Sequence, residues 1–163
     1  MDEGEGVVCG HTFEKWLSEP LLRARDQSAL RSFACRVARM GLSRCGNPPK
    51  EICTILEECE KWAGGLGAIR EPEGKRQLIE NAARLADERA RKLNDAYDSG
   101  ELSHEELDDS WTCARGYYGV AACLDRDALA AAADAIYEAS WAFDVESVDD
   151  LRGWIEPLLG DLH

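Results

Sequence analysis

The sequence predicts an all-α fold, a single-domain bundle of six or seven helices. Three observations carry this reading. Apolar residues recur at i, i+3 and i+4 in successive stretches. Glycines, prolines and capping residues punctuate those stretches. No segment alternates apolar and polar residues over a strand length, and no fixed-period repeat is present. At 163 residues the chain is long enough to bury one core without staples. Residues 1–10 read as a disordered acidic tail and residues 11–163 as one helical domain.

His11–Leu17 reads as a short helix ended by Pro20. Ser28 is placed to cap the next, whose stripe is Leu30, Phe33, Ala34, Val37 and Gly41. Asn47 is placed to cap a third, with Pro48 at its first position and Ile52, Ile55, Leu56, Cys59 and Trp62 inward. Gly64–Gly74 reads as a loop. Lys75–Tyr97 follows as a long helix with Leu78, Ala82, Leu85, Ala86, Leu93 and Ala96 inward. Ser103 and Glu106 have capping-box spacing, with Leu102 and Leu107 at the staple positions, so a helix is expected from there to about Leu124. Asp125 is expected to cap the alanine-rich helix through Phe143. Ser147 and Asp150 open a last helix, which Pro157 interrupts.

The charge is split along the chain. Residues 1–92 carry 16 basic and 15 acidic side chains, whereas residues 93–163 carry 3 basic and 17 acidic, a segment charge of −14 out of a total of −13. Such a pole attracts cationic surfaces and repels nucleic acid. Arg31, Arg36 and Arg39 lie opposite the apolar stripe of their helix and are expected at its outer face, paired with the chain's own acids or solvated. No apolar run approaches the ~18 residues that span a bilayer, and Met1–Gly6 lacks the basic start of a secretory leader. The expected location is the cytoplasm. Seven cysteines, an odd count with no Cys-x-x-Cys, argue against a disulfide framework and against the common zinc spacings. The expectation is no structural disulfide, with Cys35, Cys53, Cys59, Cys113 and Cys123 buried and reduced.

No constellation points to a reaction. Gly65-Leu-Gly67 follows a helix rather than a strand and lacks a third glycine. Glu101-Leu-Ser-His104 has the Glu-x-x-His spacing of di-iron bundles, but in one copy and across a helix start. His11 lies near Cys9 and Glu105 near Asp109, without a third group to orient either pair. The sequence is therefore read as a binding protein, not an enzyme, with no cofactor and no metal.

Ala29–Arg39, followed by Pro49–Trp62 and Ala63-Gly64-Gly65, resembles bacterial immunity proteins of the Imm-5-like kind. The alanine-rich stretch Ala121–Ala135 matches them in composition. The resemblance implies toxin neutralisation and carries no site residue across. The function expected is that of an acidic helical binding protein that neutralises a basic toxin or, as a nucleic-acid mimic, blocks a nucleic-acid-binding protein. Its partner would be a cationic protein, with no direct contact to nucleic acid or membrane. The expected contact surface is Glu105, Glu106, Asp108, Asp109, Asp125 and Asp127, with Tyr117 and Tyr118. The alternative is a structural subunit or adaptor of a larger bacterial complex, without catalysis.

Overall fold

Asp26 opens the first well-defined helix. Its carboxylate accepts from the Ser28 N–H at 2.9 Å, and α1 runs Gln27–Leu42. Ser28, the expected cap, lies inside the helix, and its hydroxyl donates to the Ala63 carbonyl at the end of α2. The computed structural model describes residues 20–21, 26–143 and 148–162. The expected acidic tail, the His11–Leu17 helix and the Ser147 cap lie outside these residues.

α2 spans Lys50–Ala63. It starts later than Asn47 because Pro49 forces the residue before it out of helical geometry, and Pro49 itself is extended at φ −58°, ψ 139°. α3 spans Pro72–Asp98, with proline in the first turn where its missing N–H costs nothing. The connecting loop ends at Glu71, whose φ of 53° is left-handed. The capping box at Ser103 forms, with the Ser103 N–H donating to Glu106 Oε1 at 2.7 Å. It opens only a 3-10 turn, His104–Glu106, because Leu107 is extended. α4 begins afresh at Ser110 and ends at Ala122. α5 spans Ala128–Ala142 and is capped by Asp127, not Asp125: Asp127 accepts from the Leu129 N–H at 3.0 Å, while Asp125 accepts from the Asp127 N–H at 2.9 Å. α6 spans Val148–Leu159 and contains Pro157. A second 3-10 turn, Gly160–Leu162, follows.

The described residues thus hold six α-helices and no strand, an all-α bundle. α1 is the hub, packed along α5 and against α4 and α2, and α3 lies on α4. Leu30, Phe33, Val37, Ile52, Leu56, Val120, Ile136 and Ile155 are each no more than 2% exposed and form the core. Alanines 128, 131, 132, 135 and 139 of α5 are as deeply buried. Small side chains let the axes come close. A Cβ on Gly41 would sit 3.6 Å from Ala139, and one on Gly116 only 3.1 Å from Leu42 Cα.

Two expectations fail here. The buried face of α3 is Ile79, Ala83 and Ala90, while Leu78 and Leu85 are 39% and 58% exposed. Of the expected stripe, Ala82 and Ala86 do pack against the core, while Leu78 and Leu85 turn outward. Cys45 and Cys113 are joined in a disulfide, with Cα atoms 4.6 Å apart. The seam where α4 meets the end of α1 brings these two together, although 68 residues separate them in sequence. Cys35, Cys59 and Cys123 are buried thiols as expected, and Cys53 is half-buried. Among the described residues no helix is long and apolar enough to cross a membrane.

Candidate functional site

The chain from Asp95 to Asp109 carries seven acids, Asp95, Asp98, Glu101, Glu105, Glu106, Asp108 and Asp109, and no lysine or arginine. The end of α3, the 3-10 turn and the start of α4 gather them at one end of the bundle. Three contacts fold this stretch back onto α3. Arg89 Nε lies 2.7 Å from Asp108 Oδ2, Tyr97 meets His104 edge-on at 6.0 Å, and Leu102 closes a groove over Leu85, Leu93 and Ala96. That groove encloses about 470 Å³, with Glu88 and Glu101 at its rim.

The acids at this end have different jobs. Glu106 completes the capping box. Asp108 accepts from the Ser110 N–H at 3.0 Å, so it caps α4 and ties it to Arg89. Burial pushes its carboxyl up, but the Ser110 and Arg89 hydrogen bonds outweigh that and hold it below the ordinary value. Asp109 stands at the N-cap position of α4 yet makes no cap; its Oδ2 accepts from the Gly46 N–H at 2.8 Å instead. Asp95, Asp98, Glu101 and Glu105 are exposed and form no ion pair among the described residues.

The expected contact surface is not one surface. Asp125 and Asp127 lie beyond the far end of α4, a helix of 13 residues and so about 20 Å long. Both act in the turn into α5, and Asp125 also lies 3.9 Å from Arg76. Tyr117 is 8% exposed, with its hydroxyl 3.6 Å from Cys45 Sγ, so it belongs to the core. Tyr118 is half-buried beneath Arg115, at 5.0 Å from the guanidinium.

Arg115 organises the side of the bundle next to the acidic end. It binds Asp87 at 2.6 Å and Glu138 at 3.5 Å, and lies over the Trp111 ring at 4.4 Å. Burial raises the Glu138 carboxyl to about 7, against the pull of Arg115 and with help from Asp134 and Asp87. Trp111 remains 46% exposed and, with Asp87, Arg91 and Asp95, lines a second groove of about 470 Å³. Trp111 and Tyr97 are the exposed aromatics here, and the sequence reading passed over both. Trp111 could have been found from its place in the first turn of α4, two residues past Asp109.

No family model, curated protein or solved structure matches the chain.

Arg31 and Arg39 of the basic helix are bonded within the fold, and Arg36 and Arg39 stand at its exposed face, as expected. Arg31 donates to the Asp125 carbonyl at 2.6 Å and to the Arg126 carbonyl, and lies 4.0 Å over Trp62. It ties α1 to the turn that follows α4. Arg39 grips Glu60 through two hydrogen bonds of 2.6 and 2.8 Å, and these raise its already high pKa. His104 stacks on Tyr97, and no metal-ligand cluster includes Glu101 or His104 among the described residues. The cluster that does bring ligand types together is Cys45, Asp109 and Cys113, whose donor atoms lie within 4.8 Å of one another. No local sequence spacing joins Cys45 to the other two.

Proposed function

We propose that this chain is an acidic binding protein whose working surface is the outer face of α3 with the Asp95–Asp109 segment, and that it docks a cationic protein. The observation that carries the reading is the coincidence of exposed acids with exposed apolar anchors. Leu85, Tyr97 and Trp111 are 58%, 42% and 46% exposed; Glu101 shares a groove with Leu85, beside Arg89 and Lys92, Asp95 shares one with Trp111, beside Arg84 and Arg91, and Asp98 follows Tyr97 in the chain. Charge brings a basic partner in quickly, and aromatic anchors in grooves hold it, because hot spots favour Trp and Tyr. Neutralisation of a basic toxin, as the resemblance over residues 28–65 implies, is the form of this function we favour. A structural subunit would use the same face more permanently.

The test is a pull-down from the native host, followed by binding kinetics on the cationic protein captured. Asp98→Lys, Glu101→Lys and Glu105→Lys together should slow association without loss of helix, because none of the three makes an ion pair among the described residues. The wild-type on-rate should fall as salt rises, since exposed charges are screened over ~8 Å at physiological ionic strength. Trp111→Ala should instead speed dissociation. Undiminished binding by the triple variant would remove the acidic end as the working surface.

A further inference from the structure

We propose that Cys45, Asp109 and Cys113 become a binding site for a thiophilic divalent cation of the zinc class when their disulfide is reduced. The inference is independent of the partner-docking reading. It rests on where Asp109 points. An aspartate at the N-cap position ordinarily accepts from the next turn's amides. Here Asp108 accepts from the Ser110 N–H, and the Asp109 carboxylate crosses to the Gly46 N–H beside the two sulfurs. A carboxylate gains nothing electrostatically from an uncharged disulfide. Two thiolates and a carboxylate around a divalent cation are a common and favourable donor set.

The frame for such a site does not depend on the S–S bond. The Leu42 backbone and Gly116 are in close packing, and the turn from Gly41 to Cys45 carries its own hydrogen bonds, Arg44 N–H to the Gly41 carbonyl at 3.1 Å and Cys45 N–H to the Leu42 carbonyl at 2.9 Å. Cys113 lies in the first turn of α4, its N–H bonded to the Asp109 carbonyl at 2.8 Å, where the helix end favours negative charge. Asp109 is exposed, so the cation has an entry path, while both cysteines are buried. Side-chain rotation need only part the sulfurs to ~3.7 Å, the span of two ~2.3 Å zinc–sulfur bonds at a tetrahedral angle. Water fills the fourth position.

The chemistry balances as follows. A dithiol reductant gives two electrons and two protons to the Cys45–Cys113 bond and closes its own disulfide. The cation then replaces the two thiol protons, which pass to solvent, and two metal–sulfur bonds form. A small-molecule disulfide, taking back the two electrons by thiol–disulfide exchange and leaving as two thiols with protons from solvent, re-forms the Cys45–Cys113 bond and expels the cation. The site is thus read as redox-gated, loaded in a reducing compartment and closed as a disulfide in an oxidising one.

The experiment uses the full chain, reduced with a phosphine that does not ligate zinc, and compares it with the oxidised chain. Zinc retained after dialysis and the thiolate-to-metal absorption of the cobalt form are read, with the helical spectrum as a check on folding. One zinc per reduced chain, none per oxidised chain and none for Cys45→Ser with Cys113→Ser are expected. Asp109→Asn should bind at least about tenfold more weakly, the scale on which even outer-shell partners act. The oxidised wild-type chain serves as the control should the double variant fold poorly. The assignment is overturned by zinc-free reduced protein, by equal zinc in the oxidised chain, by undiminished affinity in Asp109→Asn, or by loss of helix on reduction.

Discussion

At Gly116 the backbone of α4 comes so close to α1 that a methyl group fits only if α1 gives by a few tenths of an ångström. A Cβ there would lie 3.1 Å from Leu42 Cα and 3.2 Å from the Gly41 carbonyl oxygen, both backbone atoms that cannot swing aside. Gly116→Ala should therefore cost about 1–3 kcal/mol, the usual range for overpacking, and a denaturant titration will read it. Gly74→Ala, with open space around it, is the control. Glu138 makes a different residue-scale demand. Its folded pKa of about 7 lies above the ordinary 4.5, because burial disfavours the charged form. The protonated carboxyl is the one the fold prefers, so the stability it supports is whole below about pH 4.5 and is lost as pH rises through 7. The loss is bounded at ~3 kcal/mol, at about 1.4 kcal/mol per pH unit. Thermal melts between pH 4.5 and 7.5 should show it in the wild type, and Glu138→Gln should flatten that slope. The pair Arg115–Glu138 was invisible in the sequence, since 23 residues separate two charges that only the α4–α5 packing joins.

The elements themselves were largely legible, because a helix writes its period into the chain. α1, α2 and α5 lie where their apolar stripes place them, with Phe33, Leu56 and Ile136 in the core. What failed was rotation and register. The stripe of α3 offers two faces, Leu78 with Leu85 and Ile79 with Ala83, and periodicity alone does not choose between them. α4 chose the smaller face, which suits its own glycines and alanines. Ile79→Ala should cost about 2–5 kcal/mol, whereas Leu85→Ala should stay within about 0.5 kcal/mol. A reversed order in urea melts would mean that α3 is turned the other way. Helix starts were missed by a few residues for a related reason. Asp26, Asp108 and Asp127 each stand beside another plausible cap, and only the fold decides which carboxylate meets the free amides. The candidate surface was legible as charge but not as place: Glu105 and Asp109 share an end of the bundle, Asp127 does not, and tyrosines chosen for type proved to be core.

Over the whole molecule, the disulfide is the feature with the widest reach. It closes a loop of 68 residues between the end of α1 and the start of α4. Cross-linking a loop of that length raises stability by about 4 kcal/mol in the chain-entropy account. Reductant should lower the melting temperature by several degrees, and Cys45→Ser should do the same without reductant. An unchanged melt would mean that these two sulfurs are not bonded in solution. The odd cysteine count pointed away from this bond, because counting treats all seven alike while the fold brings Cys45 to Cys113. The same closure covers the Gly64–Glu71 loop, which runs between the two bonded positions, has left-handed residues at Gly65, Gly67 and Glu71 and presents Leu66 at 76% exposure. A protease that nicks this loop would leave two polypeptides in one covalent particle. On a denaturing gel the nicked protein would migrate as a single species until a thiol was added, and only then separate into its halves.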